Sequence, residues 1–172
     1  ITLGELASEL DIAKGTIYKH FKSKNQLYLE LIILNERKLL DISKKYKNNI
    51  KTYVSQYMLY NMLNSNRTIL LHVIEDRLTN NEKKLKELFE ELYQVREERI
   101  IEIKDMTDEY LKSLDSAMSI RDYLSYVWTV TYGASLLLNS THYQKSIGSR
   151  ERLIKLYINQ ALMTPDKISS VS

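Results

Sequence analysis

The chain has no cysteine, a single proline, four glycines, one tryptophan and two phenylalanines among its 172 residues. The lack of cysteine excludes disulfide bonds, thiolate metal ligands and thiol-based redox sensing. With so few helix-breaking residues, and with leucine, isoleucine, lysine and glutamate abundant, the composition predicts an almost entirely helical protein. No apolar run approaches the roughly 18 residues of a membrane-spanning helix, and the first residues do not resemble a signal peptide. We therefore expect a cytoplasmic protein of one or two domains.

Positive charge is concentrated at the N-terminal end. Residues 1–48 hold nine Lys or Arg against six Asp or Glu, whereas residues 49–172 hold sixteen of each. The whole net charge of +3 therefore falls in the first segment, where it favours contact with a polyanion such as DNA. An excess this small is also compatible with an ordinary solvated surface.

The same segment has the pattern of a helix, a tight turn and a second, short helix. One apolar stripe marks the first helix, with residues at i, i+3 and i+7: Leu3, Leu6 and Leu10. The second helix, about residues 14–20, is polar around only two large apolar side chains, Ile17 and Phe21. Such a helix presents its outer face to a partner, and we interpret that partner as the major groove of DNA.

The junction after the second helix resembles a known family. The residues that match its pattern, over about 30 of the 172 residues, are Tyr18, His20, Phe21, Lys22, Lys24, Leu27 and Leu31. With these residues the chain resembles the TetR/AcrR family of bacterial repressors. The resemblance implies an all-α fold, with an N-terminal helix-turn-helix DNA-binding domain at 1–46 and a C-terminal helical bundle for ligand binding and dimerisation at 47–172. Family members have one more helix before the stripe, so we expect further residues to precede Ile1.

Side-chain reach assigns roles on DNA. The lysines can neutralise phosphates, and two of them, Lys14 and Lys19, could also reach guanine. Gly15 permits close approach of the backbone to a phosphate, although it could merely loosen a helix end. His20 could contact a phosphate or stack over the helix junction. The expected DNA contacts are Lys14, Gly15, Thr16, Tyr18, Lys19, His20, Lys22 and Lys24.

Further helices are predicted beyond Ser23, which is the expected cap of the first. Their approximate ranges are 24–47, 50–63, 67–78, 82–114, 120–139 and 149–163. The first of them is expected to turn Leu27, Leu31 and Leu34 inward, and Pro165 is expected to stop the last. The charged residues of 82–99, Arg96 and Arg99 among them, are interpreted as a solvated face.

The last two predicted helices have apolar residues on more than one side, which favours a subunit interface. The resemblance implies that they form a four-helix bundle with a partner, as a homodimer on a palindromic operator whose half-sites lie about 34–36 Å apart. The alternative is that both faces are used inside one domain. The expected interface residues are Tyr123, Val127, Ala134, Leu138, Leu153, Ile154, Tyr157 and Ala161.

Thirteen tyrosines, several at helical spacing, predict an effector pocket for a flat, partly apolar small molecule. The alternative is an ordinary core, of which an aromatic stripe at this spacing is more typical than of a pocket. The expected lining is Tyr57, Tyr60, Asn61, His72, Phe89, Tyr93, Trp128 and Tyr132.

Catalysis and metal binding find no support in the sequence. Glycine-rich phosphate loops and nucleophile elbows are missing, and the three histidines are too scattered for a metal site. We expect no enzyme activity and no cofactor. The hypothesis is a repressor released from DNA when a ligand shifts the 67–78 helix and, through it, the helix that begins at Lys24. The alternative is a constitutive DNA-binding or architectural protein controlled by a protein partner.

Overall fold

The computed structural model describes residues 23–81, 85–146 and 148–167. In this part of the chain the fold is all-α, as predicted. Its helices are α1 (Lys24–Lys45), α2 (Ile50–Leu63), α3 (Ser65–Asn81), α4 (Lys86–Ser113), α5 (Ile120–Asn139), α6 (Thr141–Ser146) and α7 (Arg150–Lys167). None of these helices is long and apolar enough to span a bilayer.

Side-chain caps fix the beginnings of three helices. Ser23 accepts a hydrogen bond from the Gln26 amide at 3.1 Å at the start of α1, which confirms the predicted cap. Asn49 caps α2 in the same way, at 3.0 Å from the Thr52 amide. Ser119 caps α5, at 3.1 Å from the amide of Asp122. These local signals explain why the predicted starts at residues 24, 50 and 120 were correct.

The C-terminal end of α7 differs from the prediction. Pro165 lies inside the helix, which continues to Lys167. A proline has no amide to donate to the carbonyl four residues earlier, but that carbonyl, on Ala161, accepts from the Tyr123 hydroxyl at 3.2 Å instead. The next carbonyl, on Leu162, accepts from the Tyr110 hydroxyl at 2.8 Å. The Tyr123 hydroxyl of α5 thus satisfies the carbonyl that the proline would otherwise leave unpaired, and the Tyr110 hydroxyl of α4 adds a second contact at the end of the helix.

α1 is packed into the bundle along most of its length, against α4, α3 and α2. Its first half packs with α3 and the first half of α4 in a small core, formed by Leu27, Tyr28, Leu29, Ile32, Ile33, Leu71, Leu78, Phe89 and Leu92. A larger core lies among α2, α4, α5 and α7. The expected inward position of Leu34 was wrong, because its side chain is 47% exposed. α1 therefore joins the N-terminal segment to both cores.

Candidate functional site

Most of the expected DNA-contacting residues lie outside the described residues: Lys14, Gly15, Thr16, Tyr18, Lys19, His20 and Lys22. The eighth, Lys24, is the first residue of α1 and is exposed. Its Nζ lies 5.2 Å from the centre of the Tyr28 ring, a cation–π contact one turn along the helix. Lys24 is therefore exposed at the capped start of α1.

The expected interface residues serve the chain's own core. Six of the eight are at most 6% exposed: Tyr123, Val127, Ala134, Leu138, Ile154 and Ala161. The other two, Leu153 and Tyr157, pack partly buried against the same core. A side chain buried inside its own chain cannot also form the surface that a partner contacts. This placement moves the expected partner surface to the outward faces of the two helices, which carry Ser125, Thr129, Gly133 and Leu136 on α5 and Leu156 and Met163 on α7.

Part of the expected aromatic lining is brought together. The Tyr57 ring lies 6.1 Å from that of Tyr53, and the Arg99 guanidinium lies 5.7 Å from the rings of both Tyr57 and Trp128. On the neighbouring side, the rings of His72 and Tyr132 are 5.5 Å apart. The tyrosines of α2 and the aromatics of α5 therefore meet in the middle of the bundle.

Other expected lining residues lie elsewhere. Phe89 belongs to the smaller core, and Tyr93 beside it is 50% exposed, with the two ring centres 6.1 Å apart. Asn61 is buried, but it joins helices: the Thr68 hydroxyl donates to its carbonyl at 2.9 Å. The structure thus separates Phe89 and Tyr93 from Tyr57, Trp128 and Tyr132.

Sequence reasoning missed the charged groups at the centre. The expected solvated face is wrong for Arg99, which is 7% exposed, and it overlooked Glu36, which is 4% exposed. These groups and the tyrosines around them, which we call the tyrosine–arginine cluster, are Glu36 of α1, Tyr53, Tyr57 and Tyr60 of α2, Arg67 and Glu75 of α3, Arg96 and Arg99 of α4, and Tyr132 of α5. The residues of the cluster come from five helices, so a side chain displaced in the cluster can shift one of these helices relative to another.

Arg96 links three helices through hydrogen bonds from its guanidinium group. Its two terminal nitrogens donate to both oxygens of Glu75 at 2.7 Å, a bidentate pair, and its Nε donates to Glu36 Oε2 at 3.1 Å. Burial lowers the pKa of Arg96, but the ion pairs with Glu75 and Glu36 outweigh burial and raise this pKa above its usual value. α1, α3 and α4 are therefore linked through one permanently charged side chain.

Arg99 is more buried and less well paired. Its Nη2 lies 2.8 Å from Glu36 Oε1, a close ion pair, but the geometry is not that of a hydrogen bond, and Oε1 has no hydrogen-bond partner. The Nε and Nη1 of Arg99 and the Tyr53 hydroxyl also make no hydrogen bond of good geometry, although Arg99 and Tyr53 lie close enough for each to shift the pKa of the other. Buried polar atoms are usually paired, and an unpaired one costs about 1–3 kcal/mol. The centre of the bundle thus holds unused hydrogen-bonding capacity.

The tyrosines of the cluster are held neutral. Burial raises the pKa of Tyr53, Tyr57, Tyr60 and Tyr132, and it does so most strongly for Tyr57, which is fully enclosed. Arg99 partly opposes this rise at Tyr53 and Tyr57 because a cation favours the phenolate. The hydroxyl groups are therefore hydrogen-bond donors at neutral pH, as Tyr60 is to Asn35 Oδ1 at 2.8 Å.

One signal in the sequence could have found the charged groups. Glu36 continues the apolar stripe of Leu29, Ile32 and Leu39. In the same way Arg99 falls between Leu92, Val95, Ile103 and Met106, all buried. A charged residue at a stripe position is a candidate for burial with a partner. The partners themselves follow only from the packing of α1 against α4.

Two surface clefts lie away from the cluster. One, of about 260 Å³, is lined by Leu138, Gln144, Gly148, Arg150 and Leu153. Another, of about 570 Å³, lies among acidic residues of α4 near Lys47. The residues that the structure describes contain no group of three His, Asp or Glu side chains able to hold a metal ion.

Comparison with known proteins matches the N-terminal end. Residues 1–31 match the family model described as bacterial regulatory proteins, tetR family. The HTH-type transcriptional regulator QacR of Staphylococcus aureus is 37% identical over 62 residues, 36% of this chain. The HTH-type transcriptional regulator AcrR of Shigella flexneri is 30% identical over 84 residues, 49% of this chain. The matched stretches cover 33% and 35% of these relatives, so the chain spans about a third of their length.

Proposed function

We propose that this chain, whose residues 1–31 match the tetR family of bacterial regulatory proteins, regulates transcription as a repressor. In this proposal a homodimer binds a palindromic operator through residues 14–24, and a small molecule that enters the middle of the bundle releases it. The observation that carries the proposal is the position of α1. This helix overlaps the end of the family match at residues 24–31, and Glu36 ties it to α4.

The release step follows from the tyrosine–arginine cluster. A ligand that enters between the α2 tyrosines and Trp128 or Tyr132 must displace side chains that contact Arg99. Arg99 and Arg96 both pair with Glu36, so their displacement shifts α1 relative to α4. A ligand releases the operator only if it binds more tightly to the state in which the recognition helices are wrongly spaced.

Homodimerisation through α5 and α7 is supported by their outward faces. Ser125, Thr129 and Gly133 form an exposed row of small side chains along α5, which permits close helix approach. Leu136 next to it is 60% exposed, and Leu156 on α7 is 47% exposed. A two-fold axis through this face would bring each helix against its copy and the two operator-binding ends onto one side.

The experiment uses the full-length protein on an operator selected from random duplex DNA. We expect Lys24→Ala to weaken binding at every sequence and to reduce the slope of log affinity against log salt by about one, since it removes one phosphate contact. Tyr18→Ala should also weaken binding. Lys38→Ala, an exposed lysine further along α1, is the matched control and should leave both affinity and slope unchanged.

Two results would contradict the proposal. Unaltered affinity of both Tyr18→Ala and Lys24→Ala would remove the assigned DNA contacts. Small molecules that bind the bundle but leave operator affinity unchanged would remove ligand release, and would favour a DNA-binding protein controlled by a protein partner.

A further inference from the structure

The unpaired polar atoms of the tyrosine–arginine cluster are mostly donors. Among them are four guanidinium nitrogens, Nε and Nη1 of Arg99 and Nε and Nη2 of Arg67, together with the Tyr53 hydroxyl. The unpaired acceptors are Glu36 Oε1, which already lies 2.8 Å from Arg99, and the oxygen of the Tyr53 hydroxyl. Three arginines and two glutamates make the cluster positively charged. What it lacks is therefore an anion with acceptor atoms.

Arg67 presents the edge that binds such an anion. The Nε and Nη2 hydrogens of a guanidinium lie side by side, and together they contact both oxygens of one carboxylate. In Arg67 these two nitrogens are buried and make no hydrogen bond of good geometry, although the guanidinium lies close enough to the Tyr60 hydroxyl to oppose the rise of its pKa. The guanidinium is stacked on Tyr60, 4.5 Å from the ring centre, and the Tyr60 hydroxyl is anchored to Asn35 of α1. The edge is thus already oriented.

Arg99 supplies the second contact from the opposite helix. It is 93% buried by its 7% exposure, and it lies over Tyr57, one turn of α2 before Tyr60. Both guanidinium groups therefore lie against the same row of tyrosines. Trp128 faces Arg99 at 5.7 Å and gives an apolar surface beside the charged groups.

We propose that the tyrosine–arginine cluster contains an anion subsite, in which Arg67 and Arg99 bind the carboxylate of an aromatic ligand whose ring packs among Tyr57, Tyr60 and Trp128. This inference rests on the proposed function, because it names the chemical class of the effector. The bound carboxylate competes with Glu36 for Arg99. Its arrival therefore weakens the contact that ties α1 to α4.

The opposite chemistry is less well supported. A cationic ligand would need free carboxylate oxygens, but both oxygens of Glu75 already accept hydrogen bonds from Arg96 and both oxygens of Glu36 face arginines. It would also have to enter beside three guanidinium groups. A water-filled centre would satisfy the donors without any ligand, and the experiment distinguishes this case.

The test uses three probes with the same ring and different charge: 2-naphthoate, 2-naphthamide and 2-naphthylmethylammonium. Trp128 is the sole tryptophan in the chain, so its fluorescence reports directly on the cluster. We expect saturable binding of 2-naphthoate, at least about tenfold tighter than that of the amide, because two charge-assisted hydrogen bonds are added. The ammonium should bind most weakly. Calorimetry should give the same order.

Variants separate a binding role from a structural one. Arg67→Gln should weaken 2-naphthoate about tenfold or more while leaving 2-naphthamide unchanged, and Arg67→Lys should fall between, since it keeps the charge but loses the paired edge. Arg37→Gln is the control, an exposed arginine already paired with Glu91 at 2.6 Å. The second arginine is tested in the same way with Arg99→Gln, and Arg99→Lys replaces this variant if it does not fold.

Three results would overturn the anion subsite: equal affinity for the three probes, preference for the ammonium, or no effect of Arg67→Gln on 2-naphthoate. Absence of saturable binding would also overturn it and would favour the water-filled centre. Operator affinity is measured separately with each probe. Binding of 2-naphthoate at Trp128 without operator release would leave the subsite intact and refute ligand release. Failure of the protein to select any operator would refute the proposed function alone.

Discussion

At the scale of single residues, Glu36 has the largest consequences. Among the residues that the structure describes, it is the one carboxylate that pairs with both Arg96 and Arg99, and its side chain is 6% exposed. Burying charges costs several kcal/mol for each ion, which the attraction between them only partly offsets. Such a group is weak evidence for stability. Its removal is nevertheless costly, because it leaves buried positive charge without compensation.

Glu36→Gln should therefore destabilise the bundle by about 3 kcal/mol or more. The matched control is Glu91→Gln, which breaks an exposed pair with Arg37 and should cost less than about 1 kcal/mol. Urea unfolding followed by helical circular dichroism measures both. Equal shifts in the two midpoints, at unchanged slope, would show that burial of the ion pair does not matter.

At the scale of elements, the end of α7 shows how one helix depends on others. Pro165 leaves the Ala161 carbonyl without its usual helical donor, and the Tyr123 hydroxyl of α5 replaces that donor at 3.2 Å. The pair forms a tertiary hydrogen bond at a place where most helices use only their own backbone. Hence α7 extends beyond its proline only in the assembled bundle.

Tyr123→Phe should cost about 1 kcal/mol or more, because it leaves the Ala161 carbonyl unsatisfied in a buried place. In the background of Pro165→Ala the same change should cost less, since a backbone amide at position 165 can then donate to that carbonyl. A double-mutant cycle by urea unfolding measures the difference. Additive costs would mean that the proline and the tyrosine do not share the carbonyl.

The elements that were predicted correctly have local signals. Ser23, Asn49 and Ser119 are caps that act within three residues, so they mark helix starts whatever the helices pack against. α6 has only six residues and no buried side chain, so no periodicity could reveal it. The prediction that the last helix ends at Pro165 was wrong, because the tyrosine hydroxyls that bond its last carbonyls lie on other helices.

At the scale of the whole molecule, buried tyrosines make the free energy of unfolding depend on pH in the alkaline range. Burial raises the pKa of Tyr53, Tyr57, Tyr60, Tyr123 and Tyr132 above the ordinary value of 10.0. Below that value neither the folded nor the unfolded chain loses these protons. Above it the unfolded chain ionises while the folded chain does not, so stability falls as pH rises.

We expect the urea midpoint to be constant from pH 7 to about 9 and to fall steeply above about 10. Absorbance at 295 nm should show exposed tyrosines ionising first and the buried ones only together with loss of helix. Ionisation of all thirteen tyrosines near pH 10 with the helices intact would contradict the burial.

The outward faces of α5 and α7 give a prediction about assembly. Leu136→Glu and Leu156→Glu should convert the proposed dimer to a monomer, because a charge would be buried in the interface. Leu63→Glu is the matched control, since Leu63 on α2 is 60% exposed, as Leu136 is. Sedimentation velocity measures the masses. A protein that stays dimeric in both α5 and α7 variants would place the interface elsewhere.

The sequence by itself determined the local and the repeated features. Caps and apolar periodicity act over a few residues, so they predicted helices at 24, 50 and 120, and the motif of residues 18–31 lies within the stretch that matches the tetR family model. Only tertiary structure decided which side chains face one another. Glu36 and Arg99 are 63 positions apart in the chain, and the periodicity that made each an interior residue says nothing about its partner. Packing of α1 on α4 brings them together. Their pairing is what permits both charges to be buried, because a buried charge requires an opposite one nearby.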